Sequence, residues 1–288
     1  MGWRRRGVYS IFQGRGREGS TVEPSVNGER PVTTIGTTFT VRRIGEGDLN
    51  WALAEGWKDF KAKRGDLIVL ALIYPLVGFL AAATALNARL LPLFFPLVAG
   101  VSILGPAVAS GFYELARRRE LGLESSWWHF LDPLRGRNRT ALATLTAGLA
   151  ILFAGWLIAA SLIYDATIGG GHADGPARFL SLLFTTPPGW TMIAAGNLVG
   201  FGFAVMTLTL TLALVSFPMV VDKPVDAATA IATSIQAVRA NPREAASWGL
   251  RVAGLLALGC LPIFIGLAVV LPVLGYATWH LYTRLVER

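Results

Sequence analysis

The sequence predicts an all-α polytopic transmembrane helical bundle. It has six spans, arranged as three copies of one unit of interfacial helix plus transmembrane hairpin. Three observations carry this expectation. Apolar residues make up 53% of the 288-residue chain and charged residues only 15%, against about 25% charged in a soluble domain. The apolar residues gather in long stretches, each near the roughly 20 residues that cross a hydrocarbon core. The basic residues gather between those stretches, on alternate loops, as membrane topology requires.

The chain opens on MGWRRRGVYSIFQGRGREG, a basic stretch without the apolar segment a signal peptide needs. Met1 and Gly2 invite N-myristoylation, but Arg6 stands where that motif wants Ser or Thr. Residues 1–45 are rich in Gly, Arg, Thr and Ser without helical periodicity, and read as a disordered basic cytoplasmic tail. Within it PVTTIGTTFTVRRI has some strand character. Residues 46–288 are the expected membrane domain. Asp48 is a fair N-cap, and Leu49, Leu53, Trp57 and Phe60 follow at helical spacing with Glu55, Lys58, Asp59 and Lys61 between them. That pattern predicts an amphipathic helix over 48–62, with Trp51 and Trp57 suited to a membrane interface.

The spans follow. Residues 67–86 make the first, with Pro75 expected to kink it. Residues 87–89 (NAR) turn, and 90–114 return and continue into Arg117, Arg118 and Arg119. Residues 141–163 make the third span and 190–220 the fourth. Between them lies a Gly-rich loop in which FLSLLF reads as a short interfacial segment. The last stretch, 249–286, as one helix would reach roughly 55 Å, too long for one comfortable span. Two arms of about 18 residues with a turn near Gly266 are expected instead, and one tilted helix would leave five spans. Further amphipathic helices are expected over 123–133 and 225–239.

Charge orients the chain. Lys58, Lys61, Lys63 and Arg64 precede the first span, and Arg117, Arg118, Arg119, Arg135, Arg137 and Arg139 lie between the second and third. The 164–189 loop has only Arg178 against Asp165 and Asp174. The expectation is a multi-pass protein of the cell inner membrane with the N-terminus, the 116–140 loop and the C-terminal Arg284 and Arg288 cytoplasmic.

Three segments that lead into spans share a plan: WALAEGWKDFKAKRGDLIV, SSWWHFLDPLRGRNRTALATL and AIATSIQAVRANPREAASWGLRVAGL. Each has an aromatic or amphipathic stretch, a basic residue with Gly, Asn or Pro, then an apolar helix. Three returning ends share another: a proline near the boundary, then continuation toward charge, in LGPAVASGFYELARRRE, SFPMVVDKPVDAATAIATSI and VLPVLGYATWHLYTRLVER. These read as three degenerate copies of one unit.

DLNWALAEGWKDF, GPAVASGFYELARRRELG, VSFPMVVDKPVDAATAIATSIQAVRANP and PVLGYATWHLYTRLV resemble the bacterial integral membrane proteins grouped as a domain of unknown function. Some of these carry the label of cytochrome c oxidase subunit. The resemblance covers roughly 45–286 and implies an inner-membrane location, with no mechanism attached.

The chemistry weighs against an enzyme. A haem–copper core needs several histidines inside spans. This chain has three, His129, His172 and His280, and only His280 is near a span. His280, beside Trp279, reads as an interfacial hydrogen-bonder rather than a protonatable switch. His129 and Asp132 have the i,i+3 spacing of a metal or catalytic pair but no third group nearby. Asn197, among Gly196, Gly200 and Gly202, reads as a close-packing site bonded across helices, the alternative being a substrate-lining kink. Glu114 is expected in a headgroup-level ion pair with Arg117 and Arg118. Cys260, the lone cysteine, reads as a buried inert thiol. No catalytic, cofactor-binding or metal-ligating residue is assigned, and no cofactor, metal or nucleic acid is expected. The net charge of +8 is assigned to loops facing the cytoplasm. The expected partners are the lipid bilayer and a further membrane protein complex, with an assembly, scaffold or accessory role. A facilitator or channel for a small neutral or lipid-like solute is the alternative.

Overall fold

The computed structural model describes residues 39–62, 94–169, 176–211, 214–262 and 265–288. The tail's residues 1–38, the expected first span at 67–86 and the 87–89 turn lie outside them. The described elements are helical: α1 (46–62), α2 (Phe94–Glu120), a 3₁₀ helix (Trp127–Leu131), α3 (Asp132–Arg135), α4 (Arg139–Thr167), α5 (Pro176–Thr185), α6 (Pro187–Thr211), α7 (Ser216–Asp222), α8 (Ala227–Ala240), α9 (Pro242–Cys260) and α10 (Leu267–Leu285). An antiparallel bridge joins Val41 to Val286.

The amphipathic helices expected near 48–62 and 225–239 form as α1 and α8. α1 starts at 46, so Asp48 lies in its first turn rather than at the N-cap and reaches back to accept the Gly45 N–H at 3.0 Å, while Asp226 caps α8 by accepting from Thr229 N at 2.8 Å. The returning helix α2 does run unbroken through Arg117, Arg118 and Arg119, where cations complement exposed carbonyls. It stops at Gly122, whose φ of 68° lets Gly122 N reach Arg119 O at 3.1 Å and Leu123 N reach Arg118 O at 2.8 Å, a Schellman ending.

Three expectations need correction. The segment 123–133 is not one amphipathic helix. Residues 123–126 are irregular, and a 3₁₀ helix gives way to α3, where Pro133 sits at the start and cannot donate to a preceding helix. The stretch 190–220 is not one helix either. α6 ends at Thr211, residues 214 and 215 turn, and α7 begins after Val215 at φ −128°, ψ −46°. Pro218 has no N–H for the Leu214 carbonyl, so it suits the first turn of a new helix. Residues 39–45, assigned to the tail, belong to the packed unit: Val41 is buried, and Arg42 N and Glu287 N bond to Leu285 O and Thr40 O at 2.8 and 3.1 Å.

Residues 249–286 fold back as two helices, α9 and α10, with turns at 261–262 and 265–266. A Cβ on Gly266 would stand 2.8 Å from the Gly259 Cα, so the two backbones meet through glycine.

The large buried side chains lie toward one end of these helices. Phe112 and Tyr113 of α2, Phe217 and Met219 of α7, and Tyr276, Trp279 and Tyr282 of α10 are all nearly inaccessible. α2, α7 and α10 contact one another there. Elsewhere apolar side chains face outward: Ile151, Ile158 and Leu162 on α4, Leu198 and Phe201 on α6, and Leu250 and Leu258 on α9 are 61–78% exposed. Left in water, these seven would forgo on the order of 10 kcal/mol of transfer free energy, so their solvent is lipid. Among the described residues one helix, Arg139–Thr167, is long and apolar enough to cross a membrane.

α1 crosses α10 at Gly56, where a Cβ would stand 2.6 Å from Ala277 N and 2.7 Å from Val273 O. Backbone cannot yield as a side chain can. Gly56→Ala is therefore expected to destabilise by about 1–3 kcal/mol in thermal unfolding of the solubilised protein. Gly148→Ala on α4, with open space above it, should be neutral or stabilising by up to about 1 kcal/mol.

Candidate functional site

The charged end of α2, α7 and α10 gathers the polar chemistry. Arg288 is its centre. Its Nε and Nη2 each donate to Asp222 at 3.1 Å, and its Nη1 donates to Glu120 at 2.5 Å. The guanidinium lies 5.0 Å from the Trp279 ring centre. Trp279 Nε1 donates to Glu120 at 3.1 Å and the Tyr282 hydroxyl to Asp222 at 2.9 Å. Burial works against the Arg288 charge, and the hydrogen bonds and charges of Asp222 and Glu120 outweigh it, so its pKa is held above the ordinary value.

Glu114 forms the expected pair. Arg117 grips it through Nε and Nη2, both at 2.8 Å, and Arg118 stands 3.6 Å away. With Glu114 only 5% exposed, a fork of two parallel bonds offsets part of the desolvation cost.

Two histidine–carboxylate pairs flank this centre. His280 bonds to Asp59 at 2.8 Å, and the Trp51 ring meets it edge-on. Arg119 holds the other Asp59 oxygen at 2.8 Å. His280 is thus a hydrogen-bonder, as expected, and the contact ties α10 to α1 and α2. His129 Nδ1 bonds to Asp132 at 2.7 Å, and Arg118 approaches both the His129 Nε2 and Asp132 at 3.3 Å. Each histidine pair is thus closed by an arginine.

Two residues missed by sequence reasoning hold the connections. Asn138 precedes α4 and donates Nδ2 to the carbonyls of Val220 and Lys223 at 2.7 and 2.5 Å. Asn241 precedes α9, donates Nδ2 to Arg42 O at 3.0 Å, and accepts from Ile44 N at 2.9 Å. Neither side chain caps its own helix. Lys223 stands four residues before the start of α8 (223 and 227), and Arg42 four before the start of α1 (42 and 46). The two clamps therefore act at matching positions. RGRNRT and RANPRE carried the only signal, an asparagine beside arginines at the mouth of an apolar stretch.

Asn197 is not bonded across helices. It is exposed and returns its Nδ2 to Ile193 O of its own helix at 2.8 Å, the local alternative open to a polar side chain on an apolar helix. Of its glycines only Gly200 makes a close approach, to Trp156 of α4, and Gly196 and Gly202 have open space above them. Cys260, expected buried, is half-exposed at the end of α9.

A cleft runs beside the Asn138 turn. One part, about 380 Å³, is lined by Arg117, Asp132, Arg137, Asn138, Asp222 and Lys223 among others. A second, about 500 Å³, is lined by Thr140, Ala141, Thr144, Val225, Ala227 and Ala228 among others. Arg137, Asn138 and Pro224 border both.

A helical chain with a charged, ion-paired end and apolar side chains facing outward along α4, α6 and α9 is an integral membrane protein. Residues 94–222 match the model of a family described as "Predicted integral membrane protein (DUF2189)". The resemblance read from the sequence is thereby shown, over a segment that runs from α2 to α7 and is narrower than the 45–286 expected. No curated protein and no solved structure matches the chain.

Asp222 is expected to matter most among the acids of this end. Asp222→Ala strands Arg288 and the Tyr282 hydroxyl, and should cost about 2–3 kcal/mol. In a double-mutant cycle with Arg288→Ala, thermal unfolding should give a coupling of about 1 kcal/mol or more.

Proposed function

We propose that this integral membrane protein acts without catalysis, as an assembly, scaffold or accessory component of a membrane complex. One observation carries the reading. The groups best suited to acid–base chemistry, His129 with Asp132 and His280 with Asp59, are each held by an arginine. Each arginine adds a fixed, charge-assisted contact to the pair, which suits a rigid face better than proton transfer. The same face is knitted from chain segments far apart in sequence: Arg42 pairs with Glu287, Arg251 with Glu46, and Arg288 with Glu120. A stiff polar platform at one end of a helical bundle is what a docking partner needs.

The proposed topology is six spans in the inner membrane with both termini cytoplasmic. The turns at 261–262 and 265–266 support two arms in the last stretch. The charged end carries the basic residues that orient membrane proteins. The matched clamps of Asn138 and Asn241, one ahead of each of two incoming helices, support the reading of repeated units. Trp128, Leu131 and Leu134, all exposed on the 3₁₀ helix and α3, suit an in-plane segment at the headgroup boundary.

Two measurements test this. A reporter active only in the cytoplasm, fused after Arg288, should be active, and one active only in the periplasm should be silent; the reverse leaves five spans. Mild detergent extraction of tagged protein from native membranes should co-purify another membrane protein in stoichiometric amount. A monodisperse protein that brings down no partner, even after cross-linking, removes the scaffold reading.

A further inference from the structure

The arginines of the charged end fall into two populations. Arg117, Arg118, Arg119, Arg251 and Arg288 each reach a carboxylate. Arg135, Arg137 and Arg139 are exposed, and none of the described carboxylates lies within ion-pair distance of them. They surround Asn138, whose bonds to Val220 and Lys223 hold the turn in place. Arg137 borders both parts of the cleft.

Of the acids lining the cleft, three are held by basic or hydroxyl partners, and the fourth, the exposed Asp226, caps α8 through Thr229 N. Glu114 is held by Arg117, Asp132 by Arg118 and His129, and Asp222 by Arg288 and Tyr282. Lys223 is turned to the Glu287 carbonyl. On the Asn138 side of the cleft the Arg137 guanidinium, with Arg135 and Arg139 beside it, is left without a described carboxylate, so this side favours an anion. The cleft also changes character along its length. Charged groups line most of the first part, while small and apolar residues (Ala141, Val225, Ala227 and Ala228, with Thr140 and Thr144) line most of the second, Asp226 and the shared Arg137 being its charged members. That second part opens along α4, the helix fit to cross the membrane. A ligand that is anionic at one end and apolar at the other, and abundant at this depth, is a membrane phospholipid.

We propose that the cleft between the Asn138 turn and residues 220–228 seats an anionic glycerophospholipid of the bilayer, its phosphate on Arg137 and one acyl chain along α4 over Thr140, Ala141 and Thr144. A guanidinium matches the phosphate fork, and each basic side chain at an anionic surface is worth about fivefold in binding. The small side chains of Ala141, Ala227 and Ala228 leave space where larger ones would fill it. This rests on the membrane placement of α4 in the reading above.

The test uses the full chain, purified and stripped of lipid, then placed in phosphatidylcholine bilayers with or without equimolar phosphatidylglycerol. Retained lipid is counted by native mass spectrometry after extraction, and thermal unfolding is followed alongside. The wild type should retain phosphatidylglycerol over phosphatidylcholine and unfold at higher temperature in its presence. Arg137→Gln should lower retained phosphatidylglycerol about fivefold. Ala141→Leu, which narrows the apolar part, should lower it without changing charge. Arg178→Gln, which removes an exposed arginine on α5, should leave it unchanged. Equal retention by wild type and Arg137→Gln overturns the proposal. So does full competition by millimolar inorganic phosphate, which would mark a free-anion site. Flotation with pure phosphatidylcholine vesicles checks the membrane placement separately, because it needs no anionic headgroup. Failure there removes the placement itself, whereas flotation with no headgroup preference removes only the lipid site.

Discussion

The Arg288 guanidinium is the contact on which the rest of the charged end depends. It takes Asp222 at the end of α7 and Glu120 at the end of α2 while lying over Trp279 of its own chain segment. Three helices arrive at one point, each carrying part of the charge balance. None of these charges could be placed there alone, because a partly buried ion without a partner costs several kcal/mol. Together they satisfy one another, and the aromatic side chains Trp279 and Tyr282 complete the acids' hydrogen bonding from below. The register of α2, α7 and α10 is set by that mutual need. The apolar packing of Phe112, Phe217 and Tyr276 beneath it then follows from the register.

The chain divides its tasks between two solvents. At the charged end it builds a core as a soluble protein would, with buried aromatics under a lid of ion pairs. Along α4, α6 and α9 it leaves large side chains outside, which only lipid tolerates at low cost. Helices packed through small residues suit the second zone, where lipid removes the hydrophobic drive between helices. The contacts there are backbone-close: Gly259 against Gly266 in the hairpin and Gly200 under Trp156 between α6 and α4.

How much of this was legible depends on how local each feature is. The helices over 46–62 and 139–167 follow from periodicity and length, and the Glu114–Arg117 pair follows from i,i+3 spacing on one helix. The partner of His280 did not follow, since Asp59 lies 221 residues away. Nor did the clamps, since Asn138 reaches across 85 residues to Lys223 and Asn241 across 199 to Arg42. The turn at 214–215 was hidden because the run around it stays apolar, and hydropathy does not register where a helix stops. Asn197 misled for the opposite reason. A polar residue among glycines looks like an interhelical contact, but an i−4 carbonyl of its own helix was nearer.

The asparagine clamps match in geometry although the sequences around them differ. Around Asn138 and Asn241 few residues agree between RGRNRT and RANPRE, and the helices before them differ in length. What matches is the geometry. In both places an asparagine at the start of an apolar helix donates to the carbonyl four residues ahead of an amphipathic one. A carbonyl has no side chain to vary, so the partner of such a bond is indifferent to sequence. The cost falls on the asparagine alone, because its two-headed amide must find buried acceptors and donors. Asn241, 3% exposed, finds both in residues 42–44. A backbone-directed clamp of this kind fixes the path of the chain while leaving nearly every neighbouring residue free to change.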